Sequence, residues 1–171
     1  TVEFNGNAVV PNKVVCVGKN YVAHIEEMNS VIPDNMVVFM KPNASIGDTL
    51  KAELGETLHY EAEICLLIRD ARVAGVGFGL DLTKRTTQAK LKGAGLPWER
   101  SKSFNGAALF SQFVAAPVSL SALVLELWVD DELRQRGGVD SMLYRPNDLL
   151  DEVQSFIALD DYDIVMTGTP A

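Results

Sequence analysis

The stretch His59-Tyr60-Glu61-Ala62-Glu63-Ile64-Cys65-Leu66-Leu67-Ile68 decides how the rest of the chain is read. Five apolar residues in a row follow the second glutamate, which suits a strand inside a sheet. In an extended strand, residues i and i+2 point to the same side. Glu61 and Glu63 therefore face one way, while Ala62, Ile64, Leu66 and Ile68 face the other. Two neighbouring carboxylates on a sheet face repel each other. A bound divalent cation would offset that repulsion. On spacing alone, an ordinary solvated sheet face accounts for the pair as well.

Outward from this strand, residues 13–17 read as an early strand ending at Gly18. Residues 21–28 read as a short helix with Asn20 as N-cap, broken at Pro33-Asp34. Residues 36–40 form a short apolar strand stopped by Pro42, and 43–57 a loop. Residues 73–79 alternate Val and Gly, as in a strand that lets another backbone approach closely. A helix is expected over 82–91, unwinding at Gly93 and Gly95, and irregular chain over 110–117. Residues 123–129 and 133–136 form a hairpin about Asp130-Asp131. Residues 146–157 form a helix with Leu149, Leu150, Val153, Phe156 and Ile157 on one stripe, and 164–166 a last strand. Strands outnumber helices and short turns join many of them, which predicts an α+β fold rather than a regular βαβ array.

At 171 residues the chain is long enough for one domain with a substantial core. The net charge of -8 argues against nucleic-acid binding. A cation and a few lysines still make one pocket locally positive. Cys16 and Cys65 lie in apolar strand-like segments and suit buried free thiols of a reducing, cytoplasmic compartment. No run reaches the length of a membrane span. A Thr at position 1 suggests a trimmed start. The stop at Ala171, just after a strand-like run, suggests a natural chain that continues.

Three constellations carry chemistry. His24 and Glu27 stand at i and i+3, one face of a helix. A carboxylate beside an imidazole fixes its tautomer and raises its basicity, so the pair suits activation of water. A surface histidine that happens to lie near a glutamate gives the same spacing. Glu61 and Glu63, with Asp81 further on, form an oxygen-only set suited to Mg²⁺ or Mn²⁺ rather than Zn²⁺. Asp81 also reads as the N-cap of the helix that follows it. Lys102, between Trp98 and Phe104, is placed to hold a substrate carboxylate or an enolate oxygen, although a solvated loop lysine fits the same sequence. Gly168-Thr169 offers an amide and a hydroxyl to an anion, or a simple turn. Phosphate-loop, dinucleotide and nucleophile-elbow motifs are absent from the sequence.

Taken together and in order, GKNYVAHIEEM, VVFMKP, HYEAEICLLI, GFGLDLTKRTTQ, GLPWERSKSFNG, DELRQRG and VMTGTP resemble the fumarylacetoacetate hydrolase family, in particular its small single-domain branch. The likeness runs from about residue 13 to 171. It implies a mixed β-roll or sandwich with flanking helices, a single catalytic domain over 1–171 whose C-terminal end is cut short, and a homodimer. It implies Glu61, Glu63 and Asp81 as ligands of Mg²⁺ or Mn²⁺, His24 and Glu27 as the water-activating dyad, and Lys102 as the catalytic-pocket lysine. Arg85, Gln88, Thr169, Lys19 and Tyr21 fall on substrate-side positions. Asn105 departs from the family, where Asp is common, and bears on how Lys102 is held.

The function the resemblance implies is cleavage of C–C bonds in acylpyruvate-type β-diketo acids, with the metal as electron sink. Decarboxylation of oxaloacetate and isomerisation of hydroxymuconate-type acids use the same sink. A non-catalytic metal-binding homologue is a further reading, opposed by the joint presence of His24, Glu27 and Lys102. Residues 29–35, which contain Ser, Pro and Asn, read as a hinge for a lid.

Overall fold

The computed structural model describes residues 1–28 and 31–171. Its centre is β6 (Ala62–Arg69), buried at every position but the last. Beside it runs β7 (Arg72–Asp81), antiparallel, through a two-residue turn in which Asp70 and Ala71 both take positive φ. On the other side lies β13 (Ile164–Met166), antiparallel to β6 and parallel to β3 (Lys13–Gly18). The strand β4 (Val37–Pro42) pairs antiparallel with β3 at one edge. At the other edge β9 (Ala108–Phe110) and β10 (Val114–Ala115) both pair with β7. The last strand of the sequence is thus an interior strand of the seven-stranded sheet.

Small two-stranded pieces flank this sheet. They are β1 (Val2–Phe4) with β2 (Asn7–Val9), β5 (Leu58–His59) with β8 (Thr83–Lys84), and the hairpin β11 (Val124–Val129) with β12 (Glu132–Gly138). Among the described residues four α-helices complete the fold: α1 (Val22–Glu27), α2 (Arg85–Gly93), α3 (Glu99–Lys102) and α4 (Pro146–Phe156). The result is a curled, open sheet with flanking helices, as the α+β expectation held. Among the described residues, no helix is long and apolar enough to cross a membrane.

The alternation in β6 sorts the core. Ala62, Ile64, Leu66 and Ile68 pack with Leu149, Leu150 and Val153 of α4 and Leu125 of β11. Cys65 and Leu67, on the glutamate face, pack with Cys16, Met166 and Phe113. Both faces are therefore covered, and the solvated-face reading of Glu61 and Glu63 is excluded. Each fully buried Leu or Ile contributes roughly 1.5–3 kcal/mol. The two cysteines are free and buried, and burial pushes both thiols up, so they stay unreactive.

Several local expectations change. Tyr21, not Asn20, occupies the N-cap of α1, and no side chain caps it. Asn20 instead donates to the Tyr144 and Thr167 carbonyls and accepts from the Tyr144 N–H. Residues 82–84 extend the chain through β8, and α2 begins only at Arg85, so Asp81 ends β7 and caps nothing. The glycines of β7 admit side chains, with Phe4 against Gly75 and the Phe113 ring against Gly77. Phe156 stays exposed, outside the buried stripe of α4. The segment expected to be irregular, 110–117, holds the last residue of β9, Phe110, and all of β10. The hinge expected at 29–35 falls in part on residues 29 and 30, outside those described.

The cap of α2 comes from a distant loop. Glu56 accepts from the Thr86 N–H (2.9 Å), the Thr87 N–H (3.2 Å) and the Thr87 hydroxyl. The Thr87 hydroxyl chiefly holds its carboxyl below the ordinary glutamate value, with only slight burial working against it. Stability from this cap is complete above the unfolded-state value and is lost as pH falls through the lower folded-state value. Glu56→Gln should cost about 1 kcal/mol at neutral pH. Urea unfolding at stepped pH should show that gap closing only below the ordinary glutamate range.

Candidate active site

The register of β6 and β7 builds a carboxylate triad. Glu63 lies opposite Gly79, and the Asp81 N–H donates to the Glu61 carbonyl (2.8 Å). Asp81, two residues beyond Gly79, therefore faces the same side as Glu63 and lies across from Glu61. One oxygen from each of Glu61, Glu63 and Asp81 falls within 4.8 Å of the others, and all three residues are buried.

Buried carboxylates need cations or donors. Glu61 accepts from Arg85 Nη2 (2.6 Å) and Lys102 Nζ (2.6 Å). Burial opposes its charge, but Lys102 and Arg85 prevail and hold it down at about 2. Asp81 accepts from Lys102 Nζ through Oδ2 (2.7 Å). Its Oδ1 lies 2.8 Å from Lys41 Nζ, at an angle unsuited to a hydrogen bond, and has no hydrogen-bond partner among the described residues. Glu63 has no cation at ion-pair distance among the described residues and accepts only the Gly168 N–H (2.7 Å). Burial first, then Asp81 and Glu61, push its carboxyl well above the ordinary value. An oxygen-only set in which one carboxylate lacks a neighbouring cation and another has one oxygen without a hydrogen bond among the described residues fits a hard divalent cation. The triad is thus capable of chelating Mg²⁺ or Mn²⁺.

Lys102 is not a loop lysine. It ends α3, is buried, and donates to Glu61, Asp81 and the Thr83 hydroxyl (2.6 Å). Burial works against its ammonium, yet Asp81 and Glu61 raise its pKa above the ordinary lysine value. Lys41, which the sequence did not single out, is fully buried in β4 and donates to the Lys102 carbonyl. Its position in the VVFMKP motif was the available signal. An apolar strand gives no reason to expect an inward lysine.

The TGTP segment folds over the triad. Gly168 has φ 100°, and a Cβ there would meet Asn20 Cβ at 2.8 Å. Only glycine turns its N–H onto Glu63 here. The Thr169 hydroxyl donates to the Ala62 carbonyl (2.9 Å) and accepts from Gln135 Nε2 (2.9 Å). Gln135 of β12, a residue the sequence reading passed over, also accepts from the Ala62 N–H (2.9 Å).

A cavity of about 100 Å³ opens above these groups. It brings together Lys19, His24, the triad, Arg85, Gln88, Lys102 and Thr169. His24 Nδ1 lies 3.2 Å from Glu27 Oε2. Glu27 itself lines an adjoining groove and is exposed. Arg85 Nη1 donates to Gln88 Oε1 (2.9 Å), so α2 presents both as one unit. Tyr21 does not line the cavity. Its hydroxyl is buried without a hydrogen-bond partner among the described residues, and burial, then Glu63, raise its pKa. A roomier groove of about 820 Å³ runs along α4 past Arg72, Arg145 and Asp148, but among the described residues no comparable carboxylate cluster lies in it.

Comparisons with known proteins fit this geometry. The sequence model of the fumarylacetoacetate (FAA) hydrolase C-terminal family matches residues 13–171. The oxaloacetate tautomerase YcgM of Escherichia coli is 36% identical over 178 residues, covering 93% of this chain and 81% of that protein. A fumarylacetoacetate isomerase/hydrolase of provisional assignment from Oleispira antarctica superposes with a TM-score of 0.92 at 34% identity, covering 100% of this chain and 86% of that one. Fumarylpyruvate hydrolase from Pseudomonas aeruginosa, solved with Mn²⁺ and pyruvate, gives 0.88 at 29% identity, covering 99% and 83%.

Proposed function

This chain belongs to the fumarylacetoacetate hydrolase family, and from that premise we propose that it moves a proton next to the 2-oxo group of a small oxaloacetate-type acid, interconverting keto and enol forms. At the family's level it is a metal-associated enzyme for small 2-oxo or diketo acids. The observation that carries the finer reading is His24, which lines the same small cavity as the triad and Lys102 and is held from the adjoining groove by Glu27. The tautomerase likeness at 36% identity favours proton transfer over C–C cleavage.

When bound at Glu61, Glu63 and Asp81, a divalent cation would supply Lewis acidity to the 2-oxo group. The remaining work falls to side chains. With Nδ1–H donating to Glu27, Nε2 of His24, a residue that lines the cavity, is left as the proton acceptor and donor. Lys102, held by Glu61, Asp81 and Thr83, sets a fixed positive charge beside the oxygen that gains negative charge. Arg85 and Gln88 form one wall and Thr169 another. Hydrolysis of an acylpyruvate stays as a second reading, because the exposed Glu27 gives water a path to the dyad.

The test follows oxaloacetate enol absorbance with Mn²⁺ or Mg²⁺ added and then chelated. Turnover should require the metal, and His24→Gln should lower it about 10²- to 10³-fold. Cleavage of acetylpyruvate without action on oxaloacetate would favour the second reading. Inertness toward every 2-oxo acid would sink both.

A further inference from the structure

Four cations line the small cavity in a chain whose net charge is -8: Lys19, Arg85, Lys92 and Lys102. Two of them are neutralised by triad carboxylates, Arg85 by Glu61 and Lys102 by Glu61 and Asp81. No carboxylate among the described residues lies at ion-pair distance from Lys19 or Lys92. Among the described residues, Lys19 donates only to the Val31 carbonyl, at 3.3 Å.

Lys92 stands in the last turn of α2, where an ammonium complements the helix dipole. That role alone is met by any direction into solvent. Here Nζ instead lies 4.8 Å from the centre of the Trp98 ring, at the cavity rim. Trp98 in turn packs on Phe39 (5.7 Å between centroids), and Lys102 Nζ lies 5.1 Å from the Phe39 ring. An aromatic pair thus has a triad-bound ammonium at one end and an unpaired one at the other. Burial, then Lys19, Arg85 and Lys102, lower the Lys92 pKa, the direction expected of an ammonium crowded by other cations with no carboxylate at ion-pair distance among the described residues.

We propose that Lys92, steadied on Trp98 and assisted by Lys19, binds a second carboxylate of the substrate and so selects dianionic over monoanionic 2-oxo acids. This rests on the proposed function only in taking the ligand to be a 2-oxo acid whose keto-acid end meets the triad. An exposed ion pair contributes little, and a partly dehydrated one more. The expected effect is accordingly moderate.

The experiment compares wild type, Lys92→Met and Lys92→Arg on oxaloacetate and on monoanionic acetylpyruvate. Lys92→Met should raise KM for oxaloacetate about five- to tenfold, within the range of a partly exposed charge contact. Its kcat should change less than twofold, and Lys92→Arg should restore most of the loss. Binding is read separately from Trp98 emission in a Trp128→Phe background, since the chain has two tryptophans. Mn²⁺-loaded protein is titrated with pyruvate and with 2-oxoglutarate. Wild type should prefer the dianion, and Lys92→Met should lose the preference. Equal effects on mono- and dianions, no effect on either, or no dianion preference in wild type would overturn the proposal. Absence of turnover in wild type would count against the catalytic reading, while the binding ratio would still decide the role of Lys92.

Discussion

Glu63→Gln is expected to lower metal-dependent turnover by about three orders of magnitude while leaving the metal-free fold intact. Among the described residues, Glu63 is the triad member with no cation at ion-pair distance, and it accepts only the Gly168 N–H. A carboxylate placed so close to Asp81 and Glu61 is held there at a cost, because burial and like charge both oppose its ionisation. Replacing it with an isosteric amide removes that cost and keeps an acceptor for Gly168. The melting temperature of the metal-free protein should therefore hold or rise. The added stability from Mn²⁺, which reflects binding to the folded state alone, should vanish. Loss of one anionic ligand from a hard-cation site removes several kcal/mol of charge stabilisation, roughly a 10³-fold fall in turnover. Calorimetric Mn²⁺ titration, thermal melts with and without Mn²⁺, and initial rates read the three quantities. A Glu63→Gln protein that binds Mn²⁺ like wild type would remove Glu63 from the ligand set.

The contrast between Glu63 and its neighbours shows what a sequence can and cannot convey. Alternation along residues 61–68 gave the common direction of the two glutamates, because a period of two is set by backbone geometry alone. The hairpin about Asp130-Asp131 was legible for the same kind of reason: both residues take positive φ, and Asp tolerates it. Asp81 was ambiguous, since an acidic residue ahead of a helix is the usual N-cap. The cap is supplied by Glu56 from some thirty residues away, a tertiary choice that local sequence does not carry. For Lys102 a pocket role and a solvated loop lysine both stayed open, because its partners, Glu61 just ahead of β6 and Asp81 at the end of β7, lie far off in the sequence. Only the ordered set of motifs brought it to the site. Gln135 and Lys41 were missed because each does its work by reaching out of one element into another.

Lys41→Met is expected to be among the most destabilising single changes in the protein. Lys41 is fully buried, and its ammonium touches Asp81 Oδ1 and donates to the Lys102 carbonyl. Methionine fills much the same volume, so lost packing is a small part of the effect. What remains is a buried carboxylate with one oxygen stripped of its nearest cation and a carbonyl without its donor. Breaking a buried ion pair from one side costs about 3–5 kcal/mol. The change also frees the end of α3, so Lys102 loses its fixed position between Glu61 and Asp81, and turnover should fall with stability. A double variant separates the two consequences. Asp81→Asn removes the charge that Lys41→Met leaves uncompensated, so the pair should be more stable than Lys41→Met alone, a strongly non-additive result. Activity should not return, because Asp81 is itself one of the three carboxylates offered to the metal. Urea unfolding of the wild type, the two single variants and the double variant gives the coupling. Additive losses would mean that Lys41 supports the β4–α3 contact by packing alone and has no electrostatic hold on Asp81.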